Sequence, residues 1–503
     1  MGVRRYTAIK DNAITNAYQP NLRTRGTGSS MGLSDSLEVF SIYAQANSSS
    51  NEETRTLVQF PVLTADTTTP DSLYTIQGDR ADGKIPASGS VDFYLRIFNV
   101  ATDQTLPRDF TLVISPVSQS WQEGYGLDME NYSDETYNGV GSNWVNAAAN
   151  TPWINIDNVP NVTQSGGSYL SASWMGSPST VYDEFNYTQY FPEGTEDLEV
   201  KITGLVEQWI TGNYSNYGVG VMLTSSQASG SRSYYTKRFS ARESEYFFKR
   251  PIIEARWNNS RKDNRGNFYI SSSNLSAANN LNTLYLYNYV RGQPTNLATV
   301  GTGSIFVSIH TSASGGKALT TTPQQPVTGG WVKAGIYSAS FALSTTASVV
   351  YDRWYSGSIS YHTGSYRPKE FESSNVFSIP RYVTAITNLV SEFSNTDITR
   401  LRLFTRLKDW SPTIYTVASK EIENSFIEDA YWKVYREIDN ETVVAYGTGS
   451  EKHTKISYDQ TGSYFDLDMR LLEPGYSYGI KFLYYNNGAY EEQPESFIFR
   501  VKK

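Results

Sequence analysis

Apolar positions along this chain recur mostly every second residue, in short runs bounded by Gly, Ser, Thr and Asn. That is the pattern of half-buried strands rather than helices. The stretch LRLFTR sets Leu401, Leu403 and Thr405 against Arg402, Phe404 and Arg406, so one face is expected to be buried and the other solvated or paired. LYLYNYV, SIFVSIH, VVYDRWY, YWKVYREI and SFIFRVKK read the same way. One segment departs from the rule. In ITGLVEQWITG, Leu205 and Trp209 fall four apart with Val206 beside them, and Gly212 follows, which predicts a helix of about two turns in an otherwise all-β chain.

Turn-rich stretches divide the pattern into three blocks: residues 1–260, 265–372 and 376–503. The polar run NNSRKDNRGN after Trp257 is a linker or a tight junction, and boundaries are expected near 258–268 and 370–380. Each block is expected to be a β-sandwich, the first jelly-roll-like and the second immunoglobulin-like. No internal repeat or coiled-coil heptad is visible.

Composition sharpens the class. The 503 residues include 38 Tyr, 22 Phe and 10 Trp but only three His and no Cys, which favours sandwiches and excludes disulfides and thiolate metal sites. A net charge of −8 argues against a broad grip on nucleic acid or an anionic membrane. The N-terminal stretch lacks an apolar run of signal-peptide length, and no later stretch approaches the ~20 apolar residues of a membrane span, so the chain is expected to stay in the cytosol where it is made. Tyr6 stands where a myristoylation signal needs Ser or Thr.

Candidate chemistry is sparse. Trp121, Trp144 and Trp209 could form a sugar-stacking platform, but core positions are the preferred reading. Arg55 and Glu243 could form a buried ion pair, read as architecture rather than chemistry. The acidic run Asp128, Glu130, Asp134, Glu135 could hold Ca²⁺ but lacks the spacing of a dedicated loop, so a solvated loop is favoured. His310, His362 and His453 are dispersed, and no HExxH, GxSxG, Walker or GxGxxG pattern occurs. The chain is expected to be no enzyme and to use no metal or cofactor. In Leu284–Tyr289 both registers are apolar or aromatic, so Tyr285, Tyr287 and Tyr289 are candidate interface residues on a face that something must cover.

Several motifs in order resemble a known module. Asp35-Ser-Leu-Glu-Val39, Glu53-Thr-Arg55-Thr-Leu-Val-Gln-Phe60, VISPVSQSWQEGYGL, NWVNA, LEVKITGLVEQWITGNYSNYGVGVML, and Phe239-Ser-Ala-Arg-Glu243 followed by Arg250-Pro-Ile-Ile-Glu-Ala-Arg-Trp257 resemble the DNRLRE-type, disaggregatase-related β-sandwich. Asn21-Leu-Arg-Thr-Arg25 replaces that module's compact glycine turn. The resemblance implies that the helix caps the open end of the sandwich and that Arg55, Trp121, Trp144, Leu205, Trp209 and Glu243 are structural. Leu472-Glu-Pro-Gly-Tyr-Ser-Tyr478 resembles the corner of fibronectin type III domains in which the tyrosine hydroxyl bonds back to nearby backbone, implying a structural role for Tyr478. The N-terminal stretch YTAIKDNAITNAYQPNLRTRGTGSSMG is similar to structural proteins of tailed, cyanophage-like phages. That likeness implies a non-enzymatic virion component of the neck, tail, baseplate or capsid surface, made in the host bacterial cytoplasm and contacting other virion proteins and its own copies. The alternative is a carbohydrate-binding adhesin or fibre protein that recognises host surface polysaccharide.

Overall fold

The computed structural model describes residues 2–64, 74–102, 105–127, 140–154, 162–170, 185, 187–231, 233–371, 380–419 and 424–503. Strands dominate them, and the chain is an all-β protein of sandwich-like sheets with a few short helices. It divides into two compact units, residues 2–258 and 259–503.

In the first unit one sheet runs Val3–Thr7, Ile252–Arg256, Asp92–Ile97, Leu198–Lys201, so the unit's first strand pairs with its last. The other runs Tyr187–Phe191, Phe110–Pro116, Val219–Leu223, Asn51–Gln59, Ser36–Tyr43, Tyr234–Ser240, with Lys10–Thr15 also on Asn51–Gln59. Alternation decides what goes inside. Phe93, Leu95 and Ile97 are buried while Tyr94 and Arg96 are half-buried on the opposite face.

Helix Thr203–Thr211 sends Leu205, Val206 and Trp209 into this same core. Its start is tied to a strand by Thr203 Oγ1, which accepts from Phe93 N at 2.9 Å. Its end is closed by Gly212, whose φ of 76° suits a residue without Cβ. On the solvent side Glu207 receives both guanidinium nitrogens of Arg80, at 2.6 and 2.7 Å, from the short helix Ile76–Ala81. The helix is thus a lid held at both ends and along its outer face.

The second sheet is also covered on its outer face. Ile14, Leu57, Val117, Trp121, Trp144, Ala147, Trp153, Tyr169 and Met222 make a separate apolar cluster there. The excursion that supplies most of them carries a small sheet of Asn146–Ala148, Thr151–Ile154 and Thr163–Gln164. Strand Asn51–Gln59 therefore buries both faces, Val58 in the main core and Leu57 in the outer cluster.

The second unit holds two sandwiches. In the middle one the strand order is Asn282–Tyr287, Ile336–Ser344, Val327–Lys333, Ile305–His310, Val350–Ser356, Ile359–Tyr366. Val327–Lys333 turns the corner between layers: Val327 to Gly329 pair with Ile305–His310, and Gly330 to Lys333 pair with Ile336–Ser344. The corner needs glycine, because a Cβ on Gly329 would lie 2.6 Å from Ser338 O. The C-terminal sandwich pairs Tyr382–Ile386, Ile398–Leu407, Gly462–Asp468 and Ser457–Asp459 in one sheet. Its other sheet contains Glu392–Ser394, Phe497–Lys502, Ser477–Asn486, Ala430–Arg436 and Thr442–Val444, with Ala489–Glu492 also on Ser477–Asn486. Trp432 and Phe465 stack between the layers with centroids 5.1 Å apart.

The polar run after Trp257 joins these two sandwiches. Asp263 N donates to Tyr458 O and Tyr458 N to Arg261 O, at 3.0 and 2.9 Å, so the run adds a strand-like edge to Ser457–Asp459. Asn264 N donates to Thr283 O of the middle sandwich at 2.9 Å. Residues 265–372 and 376–503, two blocks in the sequence pattern, thereby share one compact unit.

Candidate functional site

The tryptophans of the first unit are packed. Trp209 is 1% exposed and Trp121 2%. Trp121 Nε1 donates to Tyr217 O at 2.8 Å, and Trp144 carries the Arg55 guanidinium over its ring at 4.9 Å. Trp153, which the sequence reading passed over, is fully buried and donates from Nε1 to Asn143 O at 2.8 Å. Leu205 lies in the main core of the first unit.

Arg55 does not pair with Glu243. It bonds Glu53 at 3.0 Å, two residues along its own strand, and donates to Gly166 O at 2.7 Å. Glu243 is exposed, outside the core, and pairs with its neighbour Arg242 at 2.6 Å. The reason is direction: Arg55 points into the outer aromatic cluster, whereas Glu243 follows the end of Tyr234–Ser240 on a solvent-facing turn. Tyr478 is buried and its hydroxyl donates to Glu473 O at 2.7 Å, closing the corner onto backbone five residues upstream. The acidic run Asp128, Glu130, Asp134, Glu135 lies outside the described residues. Among the described residues no group of three His, Asp or Glu side chains is arranged to hold a metal, and no helix is long and apolar enough to cross a membrane.

Tyr285 and Tyr287 do point away from the middle core, with ring centroids 6.2 Å apart. Their hydroxyls are pushed above the ordinary tyrosine range by burial first, with Tyr464 of the C-terminal sandwich and Asp263 adding to the shift. Part of the cover over that face therefore comes from the same chain, and both residues stay half-buried. Tyr289, 51% exposed, remains at the rim.

A buried ionic node anchors the run between the sandwiches. Arg265 bonds Asp263 at 2.9 Å and Asp352 at 2.6 Å, and Trp354 Nε1 donates to the same Asp352 oxygen at 2.6 Å. Burial pushes the Asp263 carboxyl up to about 6, with Arg265 opposing. All three charged side chains are nearly inaccessible.

A different arrangement is open to solvent. On the outer face of the C-terminal sandwich, Lys433 stands directly across from Lys481 and Tyr431 from Leu483. Leu483 faces Glu492 and Tyr485 faces Tyr490. Two lysines opposite one another would repel. Glu492 bridges them, at 2.7 Å from Lys433 Nζ and 2.9 Å from Lys481 Nζ, and accepts from the Tyr446 hydroxyl at 3.1 Å. Burial works to raise its carboxyl, but these three donors win and hold it at about 2. Rings extend the strip both ways. Tyr435 covers Gly479, where a Cβ would meet the ring at 2.3 Å, and bonds Ser496 through its hydroxyl at 2.6 Å. At the other end Tyr490 lies 4.8 Å from Tyr485 and 6.0 Å from Tyr431. Tyr485 and Tyr490 are 42% and 49% exposed, beside a two-residue turn at Asn487 and Gly488 with φ of 47° and 87°. The signal for this strip was present in the sequence, where YWKVY and KFLYY each alternate Tyr or Leu with Lys in one register, but the pairing of those strands was not.

These geometries define an all-β, multi-sandwich protein whose open chemistry lies on sheet faces. No protein-family model matches the chain, and no curated protein does. Solved structures similar to it include a chimeric titin Z1Z2-Z1Z2 tandem, at 10% identity over 44% of this chain and 91% of that one, with a TM-score of 0.15. The N-terminal Ig1-2 module of the Drosophila receptor protein tyrosine phosphatase DLAR gives 10%, 44%, 91% and 0.14. The Yersinia pseudotuberculosis adhesin InvE gives 9%, 44%, 54% and 0.14.

Proposed function

We propose that the protein is a non-enzymatic structural component that works through contacts of its sandwich faces, of the kind tailed phages build into the neck, tail, baseplate or capsid surface of the virion. One observation carries the non-catalytic part. Buried titratable groups such as Arg265, Asp263 and Asp352 pair with one another and present no free acid, base or nucleophile. The virion assignment is supported by the N-terminal sequence likeness and by the series of module motifs. Cryo-EM of purified particles from a host carrying this gene tests it: the chain should occupy symmetry-related positions against other virion proteins. Its absence from particles that are otherwise complete would refute the assignment.

A second reading, a carbohydrate-binding adhesin or fibre protein, is favoured by one feature: the tyrosine-flanked Lys433–Glu492–Lys481 strip, which is open to solvent.

A further inference from the structure

The strip on the C-terminal sandwich orders its chemistry inversely to a protein–protein contact. Such contacts place apolar and aromatic groups at the centre and leave charge at a wet rim. Here the charges are central. Lys433, Glu492 and Lys481 lie between Tyr435 with the exposed Ile498 at one end and Tyr431, Tyr485 and Tyr490 at the other. A flat protein partner would have to desolvate all three charges to reach both aromatic ends, a cost of several kcal/mol per ion.

A hydrated polymer meets no such penalty. A sugar ring lays its C–H face on an aromatic ring while its hydroxyl and carboxylate groups bond to charges that stay wet. The face is a sheet surface and not a pocket, which suits an extended chain. From Gly479 to Tyr485 it runs about 20 Å at ~3.4 Å per residue. Its charge selects further. Two ammonium groups share one carboxylate, leaving one positive charge in excess on a chain of net charge −8. Each ammonium has three N–H donors and Glu492 takes one from each, so donors remain for anionic groups of a ligand.

We propose that this face binds an extended acidic polysaccharide, with Tyr485 and Tyr490 stacking on its rings and Lys433 and Lys481 pairing with its carboxylates. The inference rests on the glycan-binding reading and is independent of any position in a particle. Affinity electrophoresis of the full-length protein in native gels tests it, with polygalacturonate as the acidic probe, dextran as the neutral one and polyglutamate as a polyanion that is not a saccharide.

Polygalacturonate should retard the protein, less so as salt rises, while dextran and polyglutamate leave it unshifted. Tyr485→Ala with Tyr490→Ala should weaken retardation about tenfold or more at an unchanged melting temperature, because both rings are half exposed. Lys433→Gln with Lys481→Gln should weaken it and flatten the salt dependence. Equal retardation by polyglutamate, or retardation untouched by the tyrosine pair, overturns the proposal. Equal retardation by dextran that the tyrosine pair abolishes overturns the acidic class alone and leaves the glycan reading standing. No retardation by any saccharide overturns both.

Discussion

Replacing Arg265 by methionine would isolate the charge that holds the second unit's junction together. Arg265 sits between Asp263 and Asp352, whose side chains are 3% and 0% exposed, and it is itself 6% exposed. Methionine keeps much of the stem's bulk and removes the guanidinium, leaving two buried carboxylates with no cation between them. Breaking a buried pair in this way typically costs about 3–5 kcal/mol, a large part of the ~5–15 kcal/mol that stabilises a domain. The remaining hydrogen bonds do not compensate: Asp352 Oδ2 keeps Trp354 Nε1, but its Oδ1 has no partner among the described residues. Hydrogen exchange across a urea series on the full-length protein reads the effect by segment. Peptides from 282–366 should lose protection at lower urea than in the parent, while those from 2–258 keep the parental midpoint. Adding Asp352→Asn to Arg265→Met should restore a substantial part of the loss, since the stranded charge is then gone. The loss should also shrink on acidification, because a carboxyl whose folded pKa lies above its unfolded value binds its proton more tightly in the folded state. If Arg265→Met unfolds within about 0.5 kcal/mol of the parent at neutral pH, or the second substitution brings no recovery, the node is solvated and the reasoning fails.

Three further outcomes are expected. Trp209→Ala should cost the first unit about 3–5 kcal/mol, read as a urea midpoint, since a fully buried ring under the helix leaves a cavity; an unchanged midpoint would remove the helix from the core. Tyr478→Phe should cost about 1 kcal/mol by thermal melting, the loss of one hydroxyl bond to Glu473 O with the ring retained; a loss as large as a ring deletion would mean the corner does more than close on backbone. Asp11 is fully buried and its carboxyl is pushed up to about 7, chiefly by that burial. Its folded pKa exceeds the unfolded value of ~3.9, so the first unit should be most stable below about pH 4 with respect to this group and lose stability as pH rises through 7. Asp11→Asn should flatten that slope in urea melts at pH 5 and 8, and an unaltered slope would exclude the group.

How far the sequence could be read depended on the range of the interaction. Alternation is local, and Leu401, Leu403 and Thr405 are buried as their spacing implies while Arg402 faces out to Asp459. The helical turn is local too: a four-residue spacing places Leu205 and Trp209 on one buried face. Ion pairing is not. Arg55 and Glu243 lie 188 positions apart by subtraction, and nothing in either strand states that the arginine turns toward Trp144 while the glutamate stays on a turn. Strand Asn51–Gln59 shows the same limit, because its outer face is covered by an excursion whose docking no periodicity encodes.

Tyr285 and Tyr287 expose the deeper asymmetry. Aromatic residues in both registers of a strand require that both faces be covered, and periodicity carries that requirement without saying by what. Part of the cover is Tyr464 of the C-terminal sandwich, which the run from Arg261 to Asn264 ties to the middle one. The same logic then separates covered from open aromatic surface. Tyr285 and Tyr287 are half-buried within their own chain. Tyr485 and Tyr490 pack on each other and, through Tyr490, on Tyr431, and retain nearly half of their accessible surface. They also flank a carboxylate that three donors hold ionised. Fixing Lys433 and Lys481 beside open rings costs side-chain entropy, and exposed ion pairs return less than about 1 kcal/mol each. Stability gives little reason to build such a strip on an outer sheet face, and that is what supports the glycan binding proposed for it.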